Sequence, residues 1–181
     1  NSPHGRIFRM EQMFFSTKVC MVVLREKDIM FPPMQTYLLG VVPITNLEWI
    51  QKIHRDNAER GYSAETIVDT ILRRMPDYIN HICPQFSKTD INFQRIPTID
   101  TSNPFICRNI PTPDESFVII HFRKGAREKW GIDFQYLLGM IHDSFMSSPT
   151  SIVVNGGKMG FAMELILTPI IHKMIEEKKH L

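Results

Sequence analysis

The chain has 181 residues, 43% of them hydrophobic, and its 21 Lys and Arg against 19 Asp and Glu leave a net charge of +2. That is enough for one globular domain, and the near-balanced charge gives no whole-molecule attraction to nucleic acid or to an anionic membrane. No run of about 18 apolar residues occurs, so no membrane-spanning helix is expected. Cys20, Cys83 and Cys107 show no C-x-x-C spacing, which argues against a disulfide framework or a zinc knuckle and fits a reducing cytoplasm. No signal-peptide pattern is seen, and a first residue of Asn1 fits a piece of something longer.

Residues 1–37 hold Met10, Met13, Met21, Met30 and Met34 with no steady helical or alternating period, and Phe31-Pro32-Pro33 breaks any helix there. They read as an aberrant arm, frayed or disordered. The texture changes at Leu38. Leu38–Ile44 is a short apolar run of buried-strand type. Thr45 followed by Glu48 fits a capping box, and Leu47, Ile50, Ile53 and His54 recur at helical spacing, so a helix is expected over 46–60. Gly61 should stop it and Ser63 should cap a second helix, whose apolar positions are Ile67, Ile71 and Met75. Pro76 marks a break. Prolines 84, 97, 104, 111 and 113 exclude one regular element over 84–116, although the alternation at Ile91, Phe93 and Arg95 predicts a short strand.

Phe117–Phe122 is a clear strand and the charged Arg123–Lys129 a loop. Phe134, Leu137, Leu138, Ile141 and Phe145 give an amphipathic helix led by Asp133. Ser151–Val154 is a further strand, Gly156-Gly157 a turn, and Met159 to Met174 a long helix kinked at Pro169. Strands and helices alternate, so the class is α/β, with no internal repeat and no second domain.

One cluster carries the chemistry. Lys52, Arg55 and Asp56 stand at i, i+3 and i+4 on a helix face, with Arg60 and Arg74 close by in sequence. The bland reading is a solvated face. The sharper one is a phosphate site, since charge-assisted hydrogen bonds to anions contribute about 1.5–3 kcal/mol each; Asp56 would then orient a cation or a reacting hydroxyl. Gly156-Gly157-Lys158 lacks the G-x-x-x-x-G-K-[ST] pattern and reads as a tight turn. The histidines form no metal set; His54 reads as packed, and His142 and His172 as surface. Residues 89–95 and 100–105 are dense in hydrogen-bonding side chains, either capped turns or a rim that reads a polyhydroxy substrate.

The stretch Lys52-Ile53-His54-Arg55-Asp56, three residues, then Arg60-Gly61-Tyr62-Ser63-Ala64-Glu65 resembles the phosphoribulokinase signature in every fixed place. The likeness continues through Asp69–Arg74, Thr89–Arg95, Asp100–Phe105, Ile110–Ser116 and Leu165–Pro169. It covers residues 38–181 and resembles the C-terminal half of the bacterial type. It implies a P-loop-kinase-like mixed sheet with flanking helices, without the N-terminal P-loop part, and a homo-oligomer in the cytoplasm. It also implies transfer of the γ-phosphate of ATP, with Mg2+, to ribulose 5-phosphate, giving ribulose 1,5-bisphosphate for the Calvin cycle. By the same resemblance Asp56 and Arg55 are catalytic, and Lys52, Arg60 and Arg74 bind substrate.

The departures are as informative. The glycine-rich loop and the base-bearing aspartate of the family have no counterpart here, no metal ligand is expected within this chain, and little or no activity is expected from it alone. His121 and Ser148 stand where the resemblance places two arginines of a regulatory NADH site, which argues against NADH activation. Lys124–Trp130 is longer than the family's usual loop. Phe15–Val22 can be written in codons that, read two nucleotides later, give F-Y-E-G-L-H-G, the family's strand bearing its metal-binding glutamate. A frameshifted reading of residues 1–37 is therefore expected. The alternative function is a non-catalytic oligomerisation or sugar-phosphate-binding module. A nucleic-acid binder is disfavoured by the charge balance and by the lack of aromatics among the cations.

Overall fold

The computed structural model describes the backbone of residues 9–12, 20–25 and 37–179, and the side chains of 37–176. A seven-stranded mixed sheet forms its centre. In chain order the strands are β1 (Arg9–Gln12), β2 (Cys20–Arg25), β3 (Tyr37–Pro43), β4 (Ile91–Pro97), β5 (Ser116–Phe122), β6 (Phe145–Ser148) and β7 (Ser151–Asn155). Their order across the sheet is β1-β2-β3-β4-β5-β7-β6. β3 and β4 are parallel, Leu39 opposite Ile91 and Pro43 opposite Arg95, and every other neighbouring pair is antiparallel. Within the arm expected over 1–37, Arg9–Gln12 and Cys20–Arg25 are thus paired strands; the rest of the segment before Tyr37, where the frameshifted stretch was expected to centre, lies mostly outside the described residues.

A parallel pair needs a long crossover, and the chain supplies it with α1 (Thr45–Arg60), α2 (Ala64–Arg73), and a helical run of α3 (Met75–Asp77), a π-turn (Tyr78–Ile82) and α4 (Cys83–Phe86). The expected break at Pro76 falls at Arg74, where α2 ends, and α3 starts at Met75. Pro76 and Pro84 occupy the first positions of α3 and α4, where a missing N–H costs nothing. The expected capping box does not form either. The N-cap is Ile44, with no side-chain cap, and Glu48 turns inward, 3% exposed. Burial, together with the nearby Glu48 charge, pushes the Tyr78 phenol up to about 12.

Alternation along the strands sorts the two faces. Leu39, Ile91, Phe93, Val118, Ile120, Phe122, Ile152 and Val154 point into the main core. There they meet Ala126 and Trp130 of α5 (Ala126–Trp130), Phe134 and Leu137 of α6 (Phe134–Met140), and Ala162, Ile166 and Ile170 of α7 (Met159–Lys179). On the other face Val42 packs on Ile82, Tyr78 and Phe86. Two expectations are corrected here. The Arg123–Lys129 loop contains α5, which Gly125 and Gly131 bracket in left-handed conformations while Ala126 and Trp130 bury themselves. The helix expected to reach Phe145 stops at Met140; Asp143 takes a positive φ of 60°, and Phe145 begins β6.

Asp90 locks the start of the parallel pair. Only 1% exposed, it accepts the Leu38 amide at 3.0 Å and a close ion pair from Arg123. Burial and the Asp90 charge hold the Tyr37 phenol far above its usual range.

Candidate functional site

The site grows out of α1 and the turn that follows it. Gly61 takes φ 68°, and its amide closes on the Asn57 carbonyl at 3.1 Å. Only glycine enters that left-handed region at no cost, so the helix ends there. The Tyr62 amide reaches the Asp56 carbonyl at 3.3 Å, and Asn57 Nδ2 donates to the Tyr62 carbonyl at 2.9 Å. Ser63 Oγ then accepts the Thr66 amide at 3.3 Å and caps α2 as its sequence position predicts. The two helices share a small apolar cluster of Ile53, Ile67 and Ile71, backed by Trp49, Val68 and Phe105.

On α1 the four-residue spacing brings Lys52 and Arg60 to one carboxylate, and the adjacent Arg55 joins them. Lys52 Nζ lies 2.6 Å from Asp56 Oδ2; Arg55 Nε and Arg60 Nη1 lie 3.1 and 3.3 Å from Oδ1. The Asp56 side chain is 5% exposed, whereas those of Lys52, Arg55 and Arg60 are 11%, 22% and 55% exposed. A buried carboxylate therefore carries a graded crown of cations that opens toward solvent. Burial alone would raise the Asp56 pKa. Hydrogen bonds from Lys52 and Arg55, and their charges, outweigh it and hold the carboxyl below its ordinary value. Both oxygens already have cationic partners, so Asp56 is arranged to aim the cations. With three positive groups to one negative, the crown keeps a surplus suited to a dianion.

Arg74 is not brought into this crown. It is exposed at the C-cap of α2, and no ion pair ties it to Asp56 among the described residues. His54 is packed as expected, its Nε2 donating to the Cys107 carbonyl at 2.9 Å. Gly156–Lys158 is a 3-10 turn, and Lys158 Nζ donates to the His142 carbonyl at 2.6 Å. Of the polar stretches, 100–105 is held by local turns, Asp100 accepting the Ser102 amide and Asn103 the Phe105 amide, while 89–95 runs into β4, with Thr89 bonded to Asn92 at its entry. His121 and Ser148 lie in register on either side of Ser151, and His121 Nδ1 is 2.9 Å from Ser151 Oγ.

Sequence reasoning missed the contacts that fasten residues 101–107 along α1, made through backbone carbonyls and one aromatic stack. The aromatic and polar residues of α1 were visible, but their partners lie more than fifty residues away. No group of three or more His, Cys, Asp or Glu suited to a metal is gathered among the described residues. With both Asp56 oxygens engaged by cations, the residues as arranged do not fit a magnesium ion by themselves.

A family model described as the phosphoribulokinase / uridine kinase family matches residues 34–102. The chromosomal phosphoribulokinase of Cupriavidus necator is 66% identical over 142 residues, 78% of this chain and 47% of that protein. The phosphoribulokinase of Xanthobacter flavus is 63% identical over 141 residues, again 78% of the chain and 47% of the relative. The solved structure of phosphoribulokinase from Rhodobacter spheroides superposes with a TM-score of 0.71 at 61% identity, covering 78% of this chain and 49% of that one. The chain is thus similar to phosphoribulokinases over most of its own length and shares the mixed α/β sheet with flanking helices of the solved one. It corresponds to part of a phosphoribulokinase, spanning about half the length of the curated relatives it matches.

Proposed function

We propose that this chain is the sugar-phosphate-binding part of a phosphoribulokinase. In the whole enzyme the reaction is transfer of the ATP γ-phosphate to ribulose 5-phosphate, giving ribulose 1,5-bisphosphate in the Calvin cycle of a cytoplasmic homo-oligomer. The observation that carries the reading is the crown on Asp56. Three cations share one carboxylate, so two positive charges remain, matching a phosphate monoester of about −1.5 to −2. Lys52 and Arg55, held at fixed angles by Asp56, are the groups that grip the substrate phosphate. Arg60, more exposed, closes over it, and Arg74 contributes from the end of α2. Asp56 keeps the donors aimed, so no reorganisation is needed when the anion arrives.

ATP and Mg2+ belong to this reading as cosubstrate and cofactor. The sequence has no G-x-x-x-x-G-K-[ST] loop to cradle nucleotide phosphates, and no step is assigned to residues of this chain through the metal. On this reading the chain alone binds ribulose 5-phosphate and turns over no ATP. The frameshifted origin of residues 1–37 is part of the same proposal, and the nucleotide sequence checks it. The missing loop also favours a second reading, a sugar-phosphate-binding module without catalysis.

Titration calorimetry with ribulose 5-phosphate tests the site. Lys52→Ala and Arg55→Ala should each weaken binding by about 10- to 100-fold, the loss of one charge-assisted hydrogen bond. Unchanged affinity in both variants would sink the assignment. A coupled ATP-consumption assay tests the rest, because turnover at an intact kinase's rate by the chain alone contradicts its incompleteness. Restored turnover on mixing with a separate nucleotide-binding half favours the kinase over the module.

A further inference from the structure

Residues 98–115 form a loop closed at its base and tied down on both legs. The Thr98 amide and hydroxyl both donate to the Glu115 carbonyl, at 2.8 and 3.0 Å. The second leg hangs on Arg95, whose guanidinium donates to Ser116 Oγ at 3.0 Å and to the Pro111 carbonyl. The first leg lies along α1. Asn46 Nδ2 donates to the Thr101 carbonyl at 2.9 Å, Phe105 stacks on Trp49 with centroids 5.6 Å apart and planes at 17°, and His54 Nε2 donates to the Cys107 carbonyl at 2.9 Å. On either side of that last fastening the loop is open, with Ile106 74% exposed and Arg108 exposed.

The fastenings sit among the residues of the crown. Trp49 is one turn before Lys52 on α1, and His54 directly precedes Arg55. Phe105 belongs to the same small cluster as Ile53, Ile67 and Ile71, the apolar packing that joins α1 to α2. This cluster has three buried members, so the loop's ring adds to what holds the cation-bearing end of α1, while Leu47 and Ile50 are buried nearer the helix start.

We propose that His54 and Phe105 are positioning residues. On this view the 98–115 loop is a strap whose hold on α1 sets the aim of Lys52 and Arg55, and through them the affinity for the substrate phosphate. The proposal rests on the phosphate-binding reading of the crown. The strap acts through α1 and touches no reacting atom.

The test uses the full chain with His54→Gln, which keeps a side-chain N–H donor, and His54→Leu, which keeps bulk and loses it. Two readouts are taken: the dissociation constant for ribulose 5-phosphate, and the rate of tryptic cleavage after Arg108, which follows how often the loop opens. His54→Leu should cleave about fivefold faster and bind about fivefold more weakly, the loss expected for one ordinary hydrogen bond. His54→Gln should stay within about twofold of the unaltered chain on both. Phe105→Leu, which loses the stack on Trp49, should shift both readouts in the same direction as His54→Leu. Faster cleavage with unchanged affinity makes the strap merely structural and overturns the proposal, as does a His54→Leu chain unchanged on both counts. If the unaltered chain binds no ribulose 5-phosphate, the phosphate reading itself fails and takes the strap's role with it, a result distinct from binding that the variants leave intact.

Discussion

Two of the apolar assemblies among the described residues are of different kinds. The main core under the sheet joins eighteen buried residues from four strands, from the helices α5, α6 and α7 and from the turns beside them, and none of them is charged. The cluster between α1 and α2 has three buried residues, and beside it one buried carboxylate gathers three cations. The first is built to hold the chain together. The second tolerates charge, leaves its cations facing solvent, and borrows a ring from a distant loop to stay in place. On the proposed function, stability and anion recognition fall to separate parts of one sheet-centred fold.

Substitutions can break or sharpen that contrast. Phe93→Ala, at a fully buried position in the middle of β4, should lower stability by about 3–5 kcal/mol in a denaturant titration. Such a loss is a large fraction of an ordinary domain's total. Asp56→Asn should cost less, about 1–3 kcal/mol, because its partners are partly solvated, yet it should disorder the crown and abolish tight phosphate binding. Because the folded Asp56 pKa is depressed, its contribution is fully present above the unfolded value near 4 and disappears as pH falls through the lower folded value. Melting temperatures between about pH 2 and 6 should therefore fall less steeply in Asp56→Asn than in the unaltered chain. Gly61→Ala should have the smallest effect, about 1 kcal/mol. The space around Gly61 is open, and only the positive φ resists a side chain. A loss above about 3 kcal/mol at Gly61 would show that the α1–α2 turn carries more of the fold than its few contacts imply.

Much of this was legible in the sequence because the signals are local. Phe117–Phe122 and Ser151–Val154 are strands because their alternating or apolar runs have nowhere else to go. The crown was legible because i and i+4 meet on any helix, whatever packs beneath it. What failed were cases where two local rules compete. Phe145 continues the apolar stripe from Ile141 at helical spacing, but the positive φ at Asp143 turns the chain first. Thr45 and Glu48 have the right spacing for a box, but the helix begins one residue earlier than a Thr45 cap allows, and Glu48 faces inward. The strap was beyond reach for another reason. It joins Asn46 to Thr101 and His54 to Cys107 through main-chain oxygens, which no side-chain pattern records.

The topology has a consequence for how the chain acquires this arrangement. From β4 onward each strand pairs with a near neighbour in sequence, β5 on β4, β7 on β5 and β6 on β7, by short-range antiparallel closures. The pairing of β3 with β4 spans the whole of α1 to α4. Loop-closure entropy makes such a long connection the slow step. The meander should therefore assemble first as a template, and the cation crown should be the last part to gain protection in pulse-labelled hydrogen exchange. The cation crown is then a late reporter of folding, since it forms only once β3, laid beside β4, has drawn the helices over the sheet.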